Sequence, residues 1–571
     1  MAGKTIIYQI LVRLFGNKRS ESVFNGSIEE NGCGKFNDIT SIALFELKRM
    51  GVTHVWYTGV IEHSTMTGYP AYGISCDNPF VVKGRAGSPY AIKDYYDVDP
   101  DLASLPDKRM REFDELVERT HNSGLKVLID FVPNHVARTY KSDAKPANVR
   151  DLGEDDNVNV FFDANNNFYY IQGESFVVPP EYNPAVATAR YIEYPAKASG
   201  NDVFTGSPDI NDWFETVKLN YGIDCFSWAK HFTPVPDTWL KMLEILMFWA
   251  AKGVDGFRCD MCEMVPPEFW EYAITSVKKQ YPMTVFIGEA YSPANYKRYI
   301  ASGFDYLYDK SGLYDLLRAA ITGRRSLDKL QDYLNSEIKG MEHNMLTFLE
   351  NHDEQRFASA QFADSPDKAV PLMTLVATLH SSAVMIYFGQ EVGAKALGAT
   401  GFSGDDGKTS IFDYTHVPEI RQWANNGRFD GGLLTPEQSA LRNFYSRLLN
   451  ICHSEDAIAN GRFGNLFECN ADGKSPGFNQ YMNCAFARYT DNNRLIIFVT
   501  IDYVAPNLYL KLPADLFADM NLDRDSLYTV EDILLSGYKT TIKGNDFILT
   551  GLHFTSKPMS AAILRINPLI C

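Results

Sequence analysis

The chain has 571 residues, 45% of them hydrophobic and 22% charged, a balance that excludes a disordered or fibrous protein and leaves room for about two to four domains. Its 54 Lys and Arg against 71 Asp and Glu give a net charge of -17, which argues against nucleic acid as a partner, because phosphate backbones are held by positive charge. Nine scattered cysteines, with only Cys259 and Cys262 close together, do not read as a disulfide framework or a zinc site. The N-terminal MAGKTIIYQILVRLF lacks the long apolar core and small-residue cleavage site of a signal peptide, so a reducing cytoplasm is the expected location. TWLKMLEILMFWAAKG and AVMIYFGQEVG are too short or too charged to span a bilayer, and no membrane partner is expected.

In chain order, TIIYQILVRLF reads as a first strand and HVWYTGV, after Gly51, as a second. A helix over 107–123, with Met110, Phe113, Leu116, Val117 and Thr120 on one face, stops at Gly124 and leads into the apolar strand LKVLIDFV. A second helix over 236–252, with Leu240, Leu243, Leu246, Met247 and Ala250 on its expected buried face, leads through Gly253 into VDGFRCD. TVFIGEA, FDYLYD, NMLTFLENHD and AVMIYFGQE complete eight strands. Strands buried on both faces and separated by helices predict a parallel (β/α)8 TIM barrel.

About 100 residues separate FVPNH from the second helix, far beyond an ordinary connection of roughly 2–6 residues, which predicts an inserted domain. Beyond about residue 450 the helical period gives way to alternating strands, including FARYTDNNRLIIFVTID with a turn at TDNN, which predicts a C-terminal β-sandwich. The expected division is a barrel over 1–135 and 236–450, an insertion (domain B) over 136–235 and a β-sandwich over 451–571.

Six acids, Asp130, Asp260, Glu289, Asp309, Asp353 and Glu391, stand at or just past the C-terminal ends of these strands, the face on which barrel active sites are built. Arg258 and Asp260 share strand parity, so both are expected to point into the barrel mouth and to offset each other's desolvation.

The segments DFVPNH, GFRCD, GEA and ENHD, in this order on the third, fourth, fifth and seventh predicted strands, resemble the four signature segments of the α-amylase superfamily, glycoside hydrolase family 13. The resemblance extends over essentially the whole chain, and the version is similar to neopullulanases and maltodextrin hydrolases. It implies that Asp260 is the nucleophile, Glu289 the general acid/base and Asp353 the acid that orients the 2- and 3-hydroxyls of the reacting glucose. It also implies that Asp130 braces Arg258, that Arg258 keeps Asp260 ionised and aimed, and that His135 and His352 donate to the same sugar. Tyr90 falls where the family has a stacking tyrosine, although Ser88 and Pro89 replace the usual His-Gly before it, and Arg356 is assigned to the next sugar or to capping its loop.

Two departures from the pattern bear on function. Glu263 and Met264 stand where Lys and His often touch leaving-side sugars, and Lys218 in TVKLNYG replaces an aspartate that ligates calcium in secreted amylases. With Asn134 still available as one ligand, the resemblance implies an absent or weakened calcium site there, with Lys218 bridging the insertion to the barrel in the metal's place; no metal ligand and no cofactor is assigned, and whether a calcium ion binds elsewhere is left open. The implied activity is retaining hydrolysis of α-1,4 links in starch fragments or maltooligosaccharides. A transglycosylase with the same acids is the alternative, and a non-catalytic carbohydrate-binding or transporter-associated relative the remote one. Oligomeric state is left open.

Overall fold

The computed structural model describes residues 3–569 except 187, 337 and 536. The predicted apolar runs form the strands β1 (Ile6–Leu11), β2 (His54–Thr58), β3 (Lys126–Phe131), β4 (Gly256–Cys259), β5 (Val285–Gly288), β6 (Tyr306–Tyr308), β7 (Met345–Leu346) and β8 (Val384–Tyr387). They make one eight-stranded sheet in which neighbours pair in parallel, with β8 also against β1. A parallel bridge between Thr347 and Val384 joins β7 to β8 and closes the barrel. Because sequence-adjacent strands are also spatial neighbours, the residues that end β3, β4, β5 and β7 meet at one rim.

The connecting helices follow from periodicity with one correction. Arg109–Asn122 buries Phe113, Leu116, Val117 and Thr120, and the chain leaves it through Gly124 at φ +71°, a left-handed conformation that glycine adopts without strain. The helix Asp237–Ala251 instead turns Trp239, Met242, Ile245, Leu246 and Trp249 inward, while Leu240 is 46% exposed. This segment is apolar almost all round, so periodicity under-determined its face, and the two large indoles take the interior.

Between β3 and that helix the chain is irregular. His135–Ala137 pairs antiparallel with Thr216–Lys218, and Tyr170–Ile171 with Ala196–Lys197, over a small core of Val81, Tyr169, Ile171, Phe176, Ala196 and Phe214. Past the helix Pro436–Ser454, which is capped by a reciprocal Thr435/Gln438 box and runs beyond residue 450, comes a six-stranded antiparallel sheet. Asn483–Tyr489 and Arg494–Thr500 pair across the TDNN turn. The alternation of the second of these explains its position: Leu495, Ile497 and Val499 join the barrel's core, whereas Ile496 and Phe498 face the two-stranded sheet of Asn507–Leu510 and Leu552–Thr555, where Phe498 meets Phe554 at 5.4 Å.

Candidate active site

Arg258 is the hub. It lies opposite Asp130 in the β3–β4 register, so the two side chains share a face, and its guanidinium is wholly buried. Nη1 donates to Asp260 Oδ1 at 2.7 Å and lies 3.7 Å from Asp130 Oδ1; Nη2 lies 2.8 Å from Glu289 Oε2; Nε donates to the Tyr308 hydroxyl at 3.2 Å. The rings of Trp56, Tyr90 and Tyr308 surround it at 5.3–5.4 Å. One cation thus faces several buried carboxylates, with an aligned hydrogen bond to Asp260 and, among the described residues, none made by Nη2, so its attraction for Glu289 is that of charge at close range.

Glu289 follows Gly288, whose missing side chain matters here: a Cβ would come within 2.8 Å of Leu307 and 2.9 Å of Cys262. Glu289 Oε2 accepts from the Met261 N–H at 2.8 Å, and Oε1 is 2.6 Å from the Tyr291 hydroxyl. Met261 reaches that position in a left-handed conformation, φ +41°, uncommon for a side chain of this kind and costing roughly 1–2 kcal/mol. Burial, and after it the Glu289 carboxylate, push Asp260 well above the ordinary aspartate range, with Arg258 opposing. Burial likewise pushes Asp130 up to about 6 against the pull of Arg258.

Asp260, Glu289 and Asp353 line one cleft of about 280 Å³ together with Tyr90 and His135. Asp353 is the most open of the acids, its side chain 39% exposed to the cleft, and His352 Nε2 stands 3.0 Å from its Oδ2. His352 stacks on Tyr90 at 5.2 Å, contacts the Tyr90 hydroxyl and meets Gln9 Nε2 through Nδ1 at 2.8 Å. Burial and then Arg258 hold its imidazole well below the usual range, so it is neutral. His135 is neutral too, drawn down to about 3 by burial with help from Lys218 and Lys83, and it packs on Trp213 at 5.1 Å.

Other expectations are corrected. Arg356 does not reach the cleft: it is fully buried, donating to Thr409 Oγ1 at 2.7 Å, to the Phe388 carbonyl at 2.8 Å and to Glu350 at 3.1 Å, with its guanidinium 4.1 Å over Tyr387. Asp309 and Glu391 also leave the rim. Asp309 accepts from Tyr333 and from the Leu313 N–H, and Glu391 accepts from Tyr8 at 2.8 Å and lies 3.5 Å from Arg442, so both are fastenings between elements. Periodicity placed them at strand ends but could not show which way the following turn carries them.

Sequence reasoning passed over Tyr291, two residues beyond Glu289, as well as Lys83, Trp213 and Glu215, all on the cleft wall. The GEAY run was the only available signal for Tyr291; the others depend on how the insertion folds back. Glu263 has a structural role, accepting from the N–H groups of Tyr291 and Ser292 at 2.6 and 3.1 Å and from Asn295 at 2.9 Å, which fixes the turn carrying Tyr291. Lys218 is 7% exposed, and its ammonium donates to Asn134 Oδ1 and, at 3.2 Å, to the Met264 carbonyl while lying 2.7 Å from Asp202 Oδ1. Asn134 in turn donates to Gly200 O at 2.7 Å.

A family model described as "Alpha amylase, catalytic domain" matches residues 9–411. The chain belongs to the α-amylase family. Among its relatives, Alpha-amylase 2 of Dictyoglomus thermophilum is 22% identical over 472 residues, 81% of this chain and 66% of that protein. A cyclomaltodextrin glucanotransferase of Geobacillus stearothermophilus is 24% identical over 411 residues, 68% of this chain and 49% of that protein, so the chain spans about two thirds or less of the length of these two relatives. The crystal structure of a maltogenic α-amylase, AmyB, from Thermotoga neapolitana matches at a TM-score of 0.59 and 18% identity, covering 99% of this chain and 97% of the other, a likeness of fold.

Proposed function

We propose that this amylase-family chain is a retaining α-glucan hydrolase that cleaves α-1,4 links of starch fragments and maltooligosaccharides. The observation that carries the reading is the Arg258 fork, with Nη1 on Asp260 and Nη2 beside Glu289 at the floor of the cleft. Two carboxylates served by one guanidinium favour the shorter of the separations glycosidases use, about 5–5.5 Å for retention against roughly 6.5–9.5 Å for inversion.

In this reading Asp260 attacks the anomeric carbon while Glu289 protonates the departing glycosidic oxygen. Glu289 then takes a proton from water as the water displaces Asp260. Arg258 holds Asp260 in place and favours its carboxylate, Asp130 and Tyr308 fix Arg258, and the Met261 N–H and Tyr291 hydroxyl aim Glu289. Asp353, the most exposed of the acids, takes the sugar's 2- and 3-hydroxyls and neutral His135 donates to the same ring; His352, expected to donate as well, is wholly buried with both ring nitrogens engaged and instead positions Asp353 and Tyr90, which supplies an apolar face. Lys218, in place of a calcium ligand, ties the insertion to the barrel through Asn134 and Met264, with Asp202 of the insertion itself as its counter-ion. The domain division expected from sequence, with the insertion as one wall of the cleft, belongs to the same proposal. So does a cytoplasmic location, which is supported by cysteines that are all unpaired among the described residues; among these residues no helix is long and apolar enough to cross a membrane.

The test is chromatography of products from maltoheptaose, amylopectin and pullulan. Shorter maltooligosaccharides from the first two support the reading, and no cleavage of either overturns it. The likeness to a glucanotransferase favours a second reading, in which a sugar collects the glycosyl group. Products longer than the substrate at high maltotriose would establish that alternative.

A further inference from the structure

Beyond β2, the short strand Ile61–His63 pairs antiparallel with Ile92–Val98, and the register sets Glu62 directly across from Asp94. Like charges placed opposite one another on neighbouring strands repel. Here both are also buried, Glu62 at 5% and Asp94 at 1% exposure. A third carboxylate is drawn in: Asp94 accepts from Ser142 Oγ at 2.6 Å and from the N–H groups of Asp143 and Ala144 at 2.8 and 3.0 Å, which pins the loop carrying Asp143 against the pair. One oxygen from each of Glu62, Asp94 and Asp143 lies within 4.8 Å of the others.

The positive charge beside them is insufficient. Lys93 Nζ comes only to 3.9 Å from Glu62 Oε1, and it is engaged by Asp77 Oδ2 at 3.4 Å and the Ser75 carbonyl at 3.2 Å. Among the described residues, Glu62 Oε2 is buried without a hydrogen-bond partner. An unsatisfied buried carboxylate oxygen is expensive, and in a native fold it calls for an occupant.

We propose that Glu62, Asp94 and Asp143 bind a calcium ion. The donors are all carboxylate oxygens, the set that hard cations prefer, without the imidazole or thiolate of a zinc site. Calcium–oxygen bonds of about 2.3–2.6 Å allow two ligands of one ion to stand up to roughly 5 Å apart, which accommodates the cluster. Asp143 is exposed, so water has access to complete the six to eight ligands typical of calcium. The site shares no residue with the Lys218 cluster. It joins the strand that follows Tyr90 to the chain leaving β3, and so braces one wall of the cleft.

The test uses the full chain, stripped with chelator, exchanged into chelator-free buffer and titrated with calcium chloride by calorimetry, with the melting temperature followed in parallel. Wild type is expected to bind calcium and to melt a few degrees higher. Asp143→Asn keeps the loop's backbone hydrogen bonds but removes a charged ligand, and should weaken binding roughly tenfold or more. Glu62→Gln should do the same. If Glu62→Gln does not fold, Asp143→Asn decides alone. Lys218→Met should keep the calcium response. No binding by wild type, or calcium affinity unchanged in Asp143→Asn, overturns the proposal; a response lost only in Lys218→Met places the ion elsewhere and overturns it equally.

Discussion

Replacing Lys218 by methionine removes the ammonium that gathers Asn134, Asp202 and the Met264 carbonyl while keeping the unbranched side chain up to the position before it. The Asn134 contact is buried and the Met264 contact partly so, and hydrogen bonds to a charged group are worth about 1.5–3 kcal/mol each, the Met264 one at the low end. Asp202 is 44% exposed, so its pairing contributes at most about 1 kcal/mol. Burying an ammonium has its own desolvation cost, which pulls Lys218 below its ordinary pKa and which methionine avoids. The balance is a loss of about 2–4 kcal/mol, concentrated where His135–Ala137 pairs with Thr216–Lys218. Urea unfolding followed by tryptophan fluorescence, in excess chelator so that no calcium contributes, should show an earlier first transition. Lys218→Asp provides the complementary arm: an acid returned to this position should make the protein weak in chelator and restore it with calcium. A Lys218→Met protein that unfolds within about 0.5 kcal/mol of wild type, the spread of ordinary surface substitutions, would refute the bridging role.

Asp260→Asn and Glu289→Gln should each lower kcat by several orders of magnitude with little change in melting temperature; more than about a tenth of wild-type kcat in either would remove that residue from its role, since acid/base catalysis alone contributes roughly 10²–10⁴-fold. Because burial and the Glu289 carboxylate raise Asp260, and the nucleophile acts ionised, activity should be lost as pH falls through that raised value, so the acid limb of kcat/KM should lie above the ordinary aspartate value of 3.8; a limb at or below 3.8 contradicts the electrostatic picture. Arg356→Met should destabilise by about 3–5 kcal/mol by leaving Glu350, 1% exposed, without its cation, yet leave KM for maltoheptaose unchanged in the folded enzyme; Arg356→Met with Glu350→Gln should recover much of the stability, whereas a raised KM would return Arg356 to the substrate.

The barrel could be read from the sequence because each buried parallel strand is an apolar run whose end is marked by a charged or polar residue, and strand parity alone set Arg258 beside Asp260, now 2.7 Å apart. Position along the chain does not reveal what a turn does next. Arg356 follows the segment of Asp353, and Asp309 and Glu391 come after β6 and β8 much as Asp260 and Glu289 come after β4 and β5, but these three turn towards Glu350, Tyr333 and Tyr8. The contacts made by the insertion were beyond reach for a further reason. Trp213 beside His135 and Asp143 beside Glu62 each join residues distant in sequence across an irregular stretch with no period to follow, whereas Lys218 on Asn134 could be expected only through the resemblance to the family's calcium position. Glu263 shows the reverse: a departure from the family's pattern that looks like a lost sugar contact is occupied in holding the turn of Tyr291.

The most direct test of the central claim, that Asp260 and Glu289 act from one guanidinium as nucleophile and acid/base, is rapid proton NMR of the first product released from maltoheptaose. Two displacements at the anomeric carbon restore its configuration, so the new reducing end should appear first as the α-anomer and mutarotate afterwards. A first-formed β-anomer would mean single displacement by water between more widely separated acids, contradicting the account.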